Sequence, residues 1–228
     1  MIATTEQALQ IENAEKKNVY FKLVADVVTT DEIYFSGTKL TFDLNGHSIK
    51  LEYGAGVKLN NGGVFNVGGS GSTLVIKDSS EKQTGSVIGC NKNYSEKVTC
   101  AVRINYKGRL EIYGGKFYGT SEGTSCIFTA GRSASVKIYG GEFSCASASN
   151  GKYYVLNHQD GKAGASYNNK TGGSTMTIYG GTFYNYNPGV SVVDPVNSGT
   201  GTIKVAEGYV TTEVAYDGGT KYVVSKAE

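Results

Sequence analysis

The stretch Ile112-Tyr113-Gly114-Gly115-Lys116-Phe117 recurs twice more in the chain, at 138–143 and 178–183, in the form I-Y-G-G-x-F. Each copy follows a short run in which apolar and polar residues alternate, such as Leu110-Glu111-Ile112. Alternation with a period of two is typical of β-strands, and a Gly-Gly pair would cost a helix about 1 kcal/mol per glycine relative to alanine. The repeat therefore predicts short strands joined by tight bends rather than helices.

Weaker copies of the alternating run precede and follow the three clear ones, and the last apolar residue of each run serves as an anchor. The anchors are Leu44, Ile76, Ile112, Ile138, Ile178 and Val205. They are spaced 32, 36, 26, 40 and 27 residues apart, which is a basal period near 26 with insertions. A second strand per repeat is indicated within residues 98–104, 125–128, 153–156 and 190–193. Repeats of this kind predict a solenoid in which each repeat forms one coil.

Coils stacked in register place equivalent residues about 4.8 Å apart, so that like residues form ladders. The predicted inner ladders are Leu110/Val136/Met176/Ile203, Ile112/Ile138/Ile178/Val205 and Phe117/Phe143/Phe183. A further ladder, of Tyr113, Tyr139 and Tyr179, is predicted at an outer corner. Opposite charges occupy equal outward slots in consecutive coils, as Glu111 with Lys137 and Lys116 with Glu142. Such pairs stabilise neighbouring strands modestly, so we predict a structural role for these charges.

The composition excludes several classes of protein. Glycine accounts for 32 of 228 residues without a collagen period, and only 2 residues are proline. An aromatic content of 11% argues for a folded chain. A net charge of +2 without a basic stripe does not favour binding to nucleic acid or to a membrane surface, and no apolar run is long enough to span a membrane. The first residues also lack the basic and apolar regions of a secretory signal.

The four cysteines, Cys90, Cys100, Cys126 and Cys145, show no metal-binding spacing. In the absence of a secretory signal, we expect the cysteines to be buried free thiols. A disulfide is the alternative if the protein functions outside the cell. Cys90 and Cys126 each lie 14 residues after an anchor, which indicates that they are neighbours in an inner stack.

Both ends of a solenoid need a cover, because an open coil exposes unpaired strand edges. Residues 1–17 include an amphipathic stretch from Thr5 to Lys17 that predicts a short capping helix. Residues 18–204 are expected to form the coils of a single all-β domain, and residues 205–228 a closing segment. In that segment, a turn is predicted at Asp217-Gly218-Gly219 and a last strand from Lys221 to Val224.

The stretch Phe42–Ile49, the I-Y-G-G-x-F copies and the stretch Gly180–Pro188 resemble the right-handed parallel β-helix (pectate-lyase-like) repeats of bacteriophage virion proteins and gut-bacterial surface proteins. The resemblance covers residues from about 18 to 224. It implies a right-handed parallel β-helix, and a homotrimer that decorates phage heads or tails. Because this fold hosts lyases, hydrolases, tailspikes and inert fibres, the resemblance specifies architecture rather than activity.

The sequence contains no clear set of catalytic residues. Glycosidic chemistry needs two carboxylates about 5 to 9.5 Å apart, or acidic metal ligands with a basic proton acceptor. No aspartate lies within four residues of another, and none shares a repeat slot with a second carboxylate. His47 fits a polar corner, and two separate histidines do not make a metal site. We therefore expect no enzyme, no catalytic residue, no metal and no cofactor.

One insertion, residues 147–173, has the tyrosine, asparagine, serine and glycine content that is typical of recognition loops. The candidate binding residues are Tyr153, Tyr154, Asn157, His158, Tyr167, Asn168 and Asn169, with Lys170 beside them. Residues 91–97 form a weaker candidate of the same type. Such a loop suits a glycan, a neighbouring subunit or another virion protein, and it is equally compatible with a solvated insertion that has no partner.

These observations favour a non-enzymatic structural or adhesive protein on a virion surface, such as a phage head or tail fibre or a capsid-decoration subunit. The expected partners are two further copies of the chain, other virion proteins and host surface polysaccharide, with neither nucleic acid nor a membrane among them. Two alternatives stay open. One is a polysaccharide lyase, hydrolase or carbohydrate-binding module, and the other is the repeat domain of a bacterial surface adhesin, at the cell surface or secreted.

Overall fold

The computed structural model describes residues 9–15, 18–52, 62–89, 100–119, 125–130, 133–145, 155–158, 174–190 and 202–228. Within these ranges every helix or strand element is a β-strand. The strands form three sheets, which we call the first, second and third sheets in the order in which a coil visits them. The chain is therefore all-β with long parallel sheets, an arrangement compatible with a β-helix-like solenoid.

Each sheet collects one strand from each successive coil. The first sheet runs in the order β1 (Leu9–Glu15), β2 (Asn18–Leu23), β5 (Lys39–Asp43), β8 (Thr73–Lys77), β11 (Arg109–Ile112), β14 (Ser135–Ile138), β17 (Thr175–Ile178) and β19 (Thr202–Val205). The second runs β3 (Val27–Thr29), β6 (Ser48–Leu51), β9 (Ser86–Ile88), β12 (Lys116–Gly119), β15 (Glu142–Cys145), β18 (Gly181–Tyr184), β21 (Gly219–Lys226) and β20 (Tyr209–Tyr216). The third runs β4 (Ile33–Ser36), β7 (Gly63–Gly68), β10 (Cys100–Ile104), β13 (Ser125–Thr129) and β16 (Leu156–His158).

The predicted register is confirmed in the first and second sheets. Leu110, Val136, Met176 and Ile203 are paired in turn, as are Ile112, Ile138, Ile178 and Val205. The rings of Phe117, Phe143 and Phe183 stack with centroids 5.0 and 4.9 Å apart. All three phenylalanines are fully buried. These repeated apolar residues therefore line the core, one above the other.

The structure corrects the first anchor of the repeat. Ile76 pairs with Phe42 rather than with Leu44, so that coil spans 34 residues instead of 32. Leu44 lies just past the end of β5 and is fully buried. A Cβ atom on Gly85 or on Gly115 would collide with the Leu44 side chain. Glycine at these bends leaves room for a core residue from another coil, and Gly115 also adopts a φ of 93°, which favours glycine.

The predicted N-terminal capping helix is wrong for the described part of residues 1–17. Residues Leu9–Glu15 form strand β1, which pairs antiparallel with β2, with Leu9 opposite Leu23 and Glu15 opposite Asn18. Residues 1–8, 16 and 17 of the predicted helix lie outside the described residues. The physical reason for a strand is the free edge of β2, because a strand supplies backbone partners to that edge and a helix does not.

The predicted closing turn and last strand are present at the other end. β20 and β21 form an antiparallel hairpin that turns at Tyr216–Gly219, and β21 pairs antiparallel with β18. The hairpin gives the second sheet an antiparallel border after a run of parallel strands. Val224 on β21 is buried and belongs to the core.

The predicted second strands correspond to the third sheet where the structure describes them. β10 lies within 98–104, and β13 covers 125–128 and extends by one residue. Of the range 153–156, residues 153 and 154 lie outside the described residues, and β16 begins at Leu156 and ends at His158. Of the range 190–193, residues 191–193 lie outside the described residues.

Candidate functional site

Two of the predicted binding residues, Asn157 and His158, lie on β16 of the third sheet. His158 is only 8% exposed. Its Nδ1 is hydrogen-bonded to the hydroxyl of Thr129, and its Nε2 lies 3.2 Å from the carbonyl oxygen of Thr202. Burial lowers the pKa of His158, which the Thr202 carbonyl only partly opposes. With both ring nitrogens engaged inside the protein, His158 ties β13, β16 and β19 together and offers little to an external ligand.

Asn157 is half-buried, and its amide donates a hydrogen bond to the Ser125 hydroxyl at 3.3 Å. The other predicted binding residues lie outside the described residues: Tyr153, Tyr154, Tyr167, Asn168 and Asn169. The same holds for Lys170 and for the weaker candidate loop 91–97. For these residues the binding site stays a prediction.

The carboxylate of Asp43 holds a bend rather than facing solvent. Asp43 is 1% exposed, and its Oδ1 accepts hydrogen bonds from the backbone N–H groups of Asn45 at 3.0 Å and Ser79 at 2.9 Å. Its Oδ2 accepts from the Tyr20 hydroxyl at 2.6 Å and lies 3.4 Å from Lys77 Nζ. Burial alone would raise the pKa of Asp43, but the hydrogen bonds from Tyr20, Ser79 and Asn45 lower it below its usual value.

Asp78 likewise holds a bend through backbone hydrogen bonds, one coil further along the chain. Its Oδ1 accepts from the backbone N–H groups of Gly46 at 2.9 Å and Ser80 at 3.0 Å, and its Oδ2 accepts from Gly85 at 2.6 Å. Asp43 and Asp78 thus link the bends of consecutive coils through backbone donors. Buried polar groups of this kind are satisfied by the fold itself and are not positioned for proton transfer to a substrate.

Other carboxylates of the described residues are also engaged. Glu142 lies 3.2 Å from Lys116 Nζ, as the charge pattern predicts, and accepts a hydrogen bond from the Tyr184 hydroxyl at 2.9 Å. Burial and this carboxylate raise the pKa of Tyr184 to about 12. Glu111 and Lys137 are neighbours in the register, but within the described ranges no ion pair joins them. Glu111 instead accepts a hydrogen bond from the Tyr113 hydroxyl at 3.2 Å.

Among the described residues, no disulfide joins Cys100, Cys126 and Cys145. Cys126 Sγ lies 3.5 Å from Cys145 Sγ, well beyond the length of a disulfide bond, and 2.7 Å from the carbonyl oxygen of Ser144. Burial raises the pKa of Cys100 to about 12. Cys90, the predicted neighbour of Cys126, lies outside the described residues.

The tyrosine ladder is confirmed and is open to solvent. Tyr113 and Tyr139 stack with ring centroids 4.7 Å apart, and Tyr139 and Tyr179 stack at 4.9 Å. Tyr113 is 50% exposed and Tyr139 is 37% exposed. The bends that follow these tyrosines have no room for a side chain. A Cβ atom on Gly140 would lie too close to the carbonyl oxygen of Tyr113, and one on Gly180 too close to that of Tyr139. The glycines therefore allow consecutive tyrosines to stack at the strand spacing.

Sequence reasoning missed a row of polar and aromatic residues across the third sheet. Tyr34, Asn66, Arg103, Phe128 and Asn157 are paired in turn from β4 to β16. They alternate with core residues such as Phe65 and Val67, so they lie on the face of the sheet away from the core. The residue type changes at each step of this row, so no periodic signal in the sequence connects its members.

Hydrogen bonds and a ring contact join three members of this row, Asn66, Arg103 and Phe128. The Arg103 guanidinium lies 5.1 Å from the Phe128 ring, and its Nε donates to the Asn105 side chain at 3.3 Å. Asn105 in turn donates to Asn66, whose own amide donates to Glu32 at 3.4 Å. Asn66 is fully buried, whereas Tyr34 at the start of the row is 61% exposed. The three middle residues of the row therefore form a connected network through Asn105.

Within the described ranges, no group of three or more histidine, cysteine, aspartate or glutamate side chains is placed to hold a metal ion. The same part of the chain contains no helix that is long and apolar enough to cross a membrane. No family model, no curated protein and no solved structure matches this chain.

Proposed function

We propose that the protein is a non-enzymatic β-helix protein with a structural or adhesive role. The observation that carries this proposal is the use of its buried carboxylates: Asp43 and Asp78 each accept at least three hydrogen bonds from the protein, mostly from backbone N–H groups at bends. A glycosidase or lyase needs carboxylates that face the substrate and change protonation state. These two carboxylates are instead committed to holding successive coils in register.

We propose further that the solenoid is a right-handed parallel β-helix. Support comes from the fixed order in which the chain visits three parallel sheets, because connections between parallel strands of one sheet are almost always right-handed. The recurring I-Y-G-G-x-F bends and the stacked phenylalanines are also features expected of such coils.

For the biological setting, we propose a virion surface protein, a phage fibre or capsid-decoration subunit that assembles as a homotrimer with other virion proteins. This part rests on the resemblance of the repeats. Light scattering on the purified chain should give three times the mass of one chain, and mass spectrometry of purified virions should detect it. A strictly monomeric chain that is missing from virions would contradict the proposal.

The proposed ligand is host surface polysaccharide, held by the insertion at 147–173. The purified protein is incubated with pectin, capsular polysaccharide and mucin glycans, and both retention and cleavage are measured. Retention without cleavage is the expected result. New reducing ends or unsaturated uronides would instead establish a polysaccharide-active enzyme and refute the non-enzymatic proposal.

A further inference from the structure

The two ends of the tyrosine ladder differ. At one end, the Tyr209 ring meets Tyr179 edge-on, with centroids 5.6 Å apart and planes at 88°. At the other end, Tyr113 has an aromatic neighbour on one face only among the described residues, namely Tyr139. Tyr113 is correspondingly more exposed than Tyr139, at 50% against 37%. Within the described residues, the face of the Tyr113 ring away from Tyr139 therefore has no aromatic ring stacked on it, and we call it the open face.

Two hydrogen-bond acceptors lie beside Tyr113. At its phenol end, the Glu111 carboxylate accepts from the Tyr113 hydroxyl at 3.2 Å and keeps lone pairs available. At its backbone end, the side-chain oxygen of Gln83 lies so close to Gly114 that a Cβ atom there would collide with it. The Gln83 nitrogen donates to the carbonyl oxygens of Asp78 and Ser80, which holds the amide in this orientation.

An aromatic face carries partial negative charge, so it attracts a ligand surface made of C–H groups. The C–H face of a pyranose ring with equatorial hydroxyls fits this requirement, and its hydroxyls can donate to a carboxylate and an amide oxygen at the rim. The negative charge of Glu111 disfavours an anionic sugar. We propose that the open face of Tyr113 is a stacking platform for a neutral pyranose ring, which would continue the ladder by one ring. This inference rests on the proposed adhesive function and adds a second glycan contact, separate from the insertion.

The test compares Tyr113→Ala with Tyr179→Ala, the matched control. Both changes remove one terminal ring of the same ladder, but only Tyr113 has an open face. The probe is cellohexaose, titrated into the full chain with labelled tyrosine rings and followed by NMR. We expect Tyr113 signals to shift, Tyr113→Ala to weaken binding by about tenfold, and Tyr179→Ala to leave it unchanged. Tyr113→Phe keeps the ring and should retain binding, which separates stacking from loss of the hydroxyl.

Two further probes sharpen the result. A hexamer of galacturonate should bind more weakly than cellohexaose, and choline should not reproduce the Tyr113 shifts. Equal binding by wild type and Tyr113→Ala, or shifts with choline alone, would overturn the platform. If wild type and Tyr113→Ala bind cellohexaose equally and both still retain pectin, capsular or mucin glycans, the adhesive function stands while the platform fails. Absence of any glycan binding by the wild type would refute both.

Discussion

At the scale of single residues, the bends depend on buried carboxylates such as Asp43. We expect Asp43→Ala to lower the free energy of unfolding by about 2 kcal/mol, because it removes a charged acceptor from Tyr20 and from the N–H groups of Asn45 and Ser79. Denaturant unfolding followed by circular dichroism measures this loss. Asp43→Asn is the control of equal size, which keeps one acceptor oxygen and should lose less.

The pH dependence of the free energy of unfolding provides a second test of the role of Asp43. The pKa of Asp43 is lower in the folded protein than its usual value of 3.8. The stability that Asp43 contributes is therefore present above about pH 3.8 and is lost as pH falls through the lower folded-state pKa. The difference in unfolding free energy between wild type and Asp43→Asn should shrink between pH 5 and pH 2. A difference that does not change with pH would contradict this assignment.

At the scale of elements, the chain carries two matched aromatic ladders, one buried and one exposed. Phe143 stacks between Phe117 and Phe183 in the core, and Tyr139 stacks between two tyrosines at the surface. Phe143→Ala should cost about 4 kcal/mol, because it removes stacking and leaves a cavity. Tyr139→Ala should cost about 1 kcal/mol, since the site is open to water. Thermal and denaturant unfolding of both variants test the difference, and equal losses would show that stacking rather than burial dominates.

At the scale of the whole molecule, the hairpin β20–β21 covers one end of the second sheet. Removal of residues 207–228 would leave the outer edge of β18 without its partner β21. Exposed edges pair with other chains, so we expect the truncated protein to form larger assemblies than the full chain. Light scattering measures the masses. Val214→Lys on the outer strand β20 is the control and should keep the original mass, whereas an unchanged mass after truncation would contradict a capping role.

The sequence predicted the register of the first and second sheets because that register is written in local, repeated patterns. Leu110-Glu111-Ile112 and its later copies alternate with the period of a strand, and the Gly-Gly pair marks the same bend each time. Stacking then follows from the constant offset of each aromatic residue from the Gly-Gly pair, as the ladders of Phe143 and Tyr139 demonstrate. The anchor at Leu44 failed because its run continues past the strand into a buried bend.

By itself, therefore, the sequence determined an all-β repeat, its inner ladders and its tyrosine corner. Only the tertiary structure decided that Leu9–Glu15 is a strand, that His158 is buried, and that Asn66 and Arg103 belong to one network. Each of these depends on what a distant segment supplies: a free strand edge, a covering carbonyl or a neighbouring amide. Such partners carry no periodic signal, because hydrogen bonding and burial between non-repeating residues are set by the folded arrangement and not by local pattern.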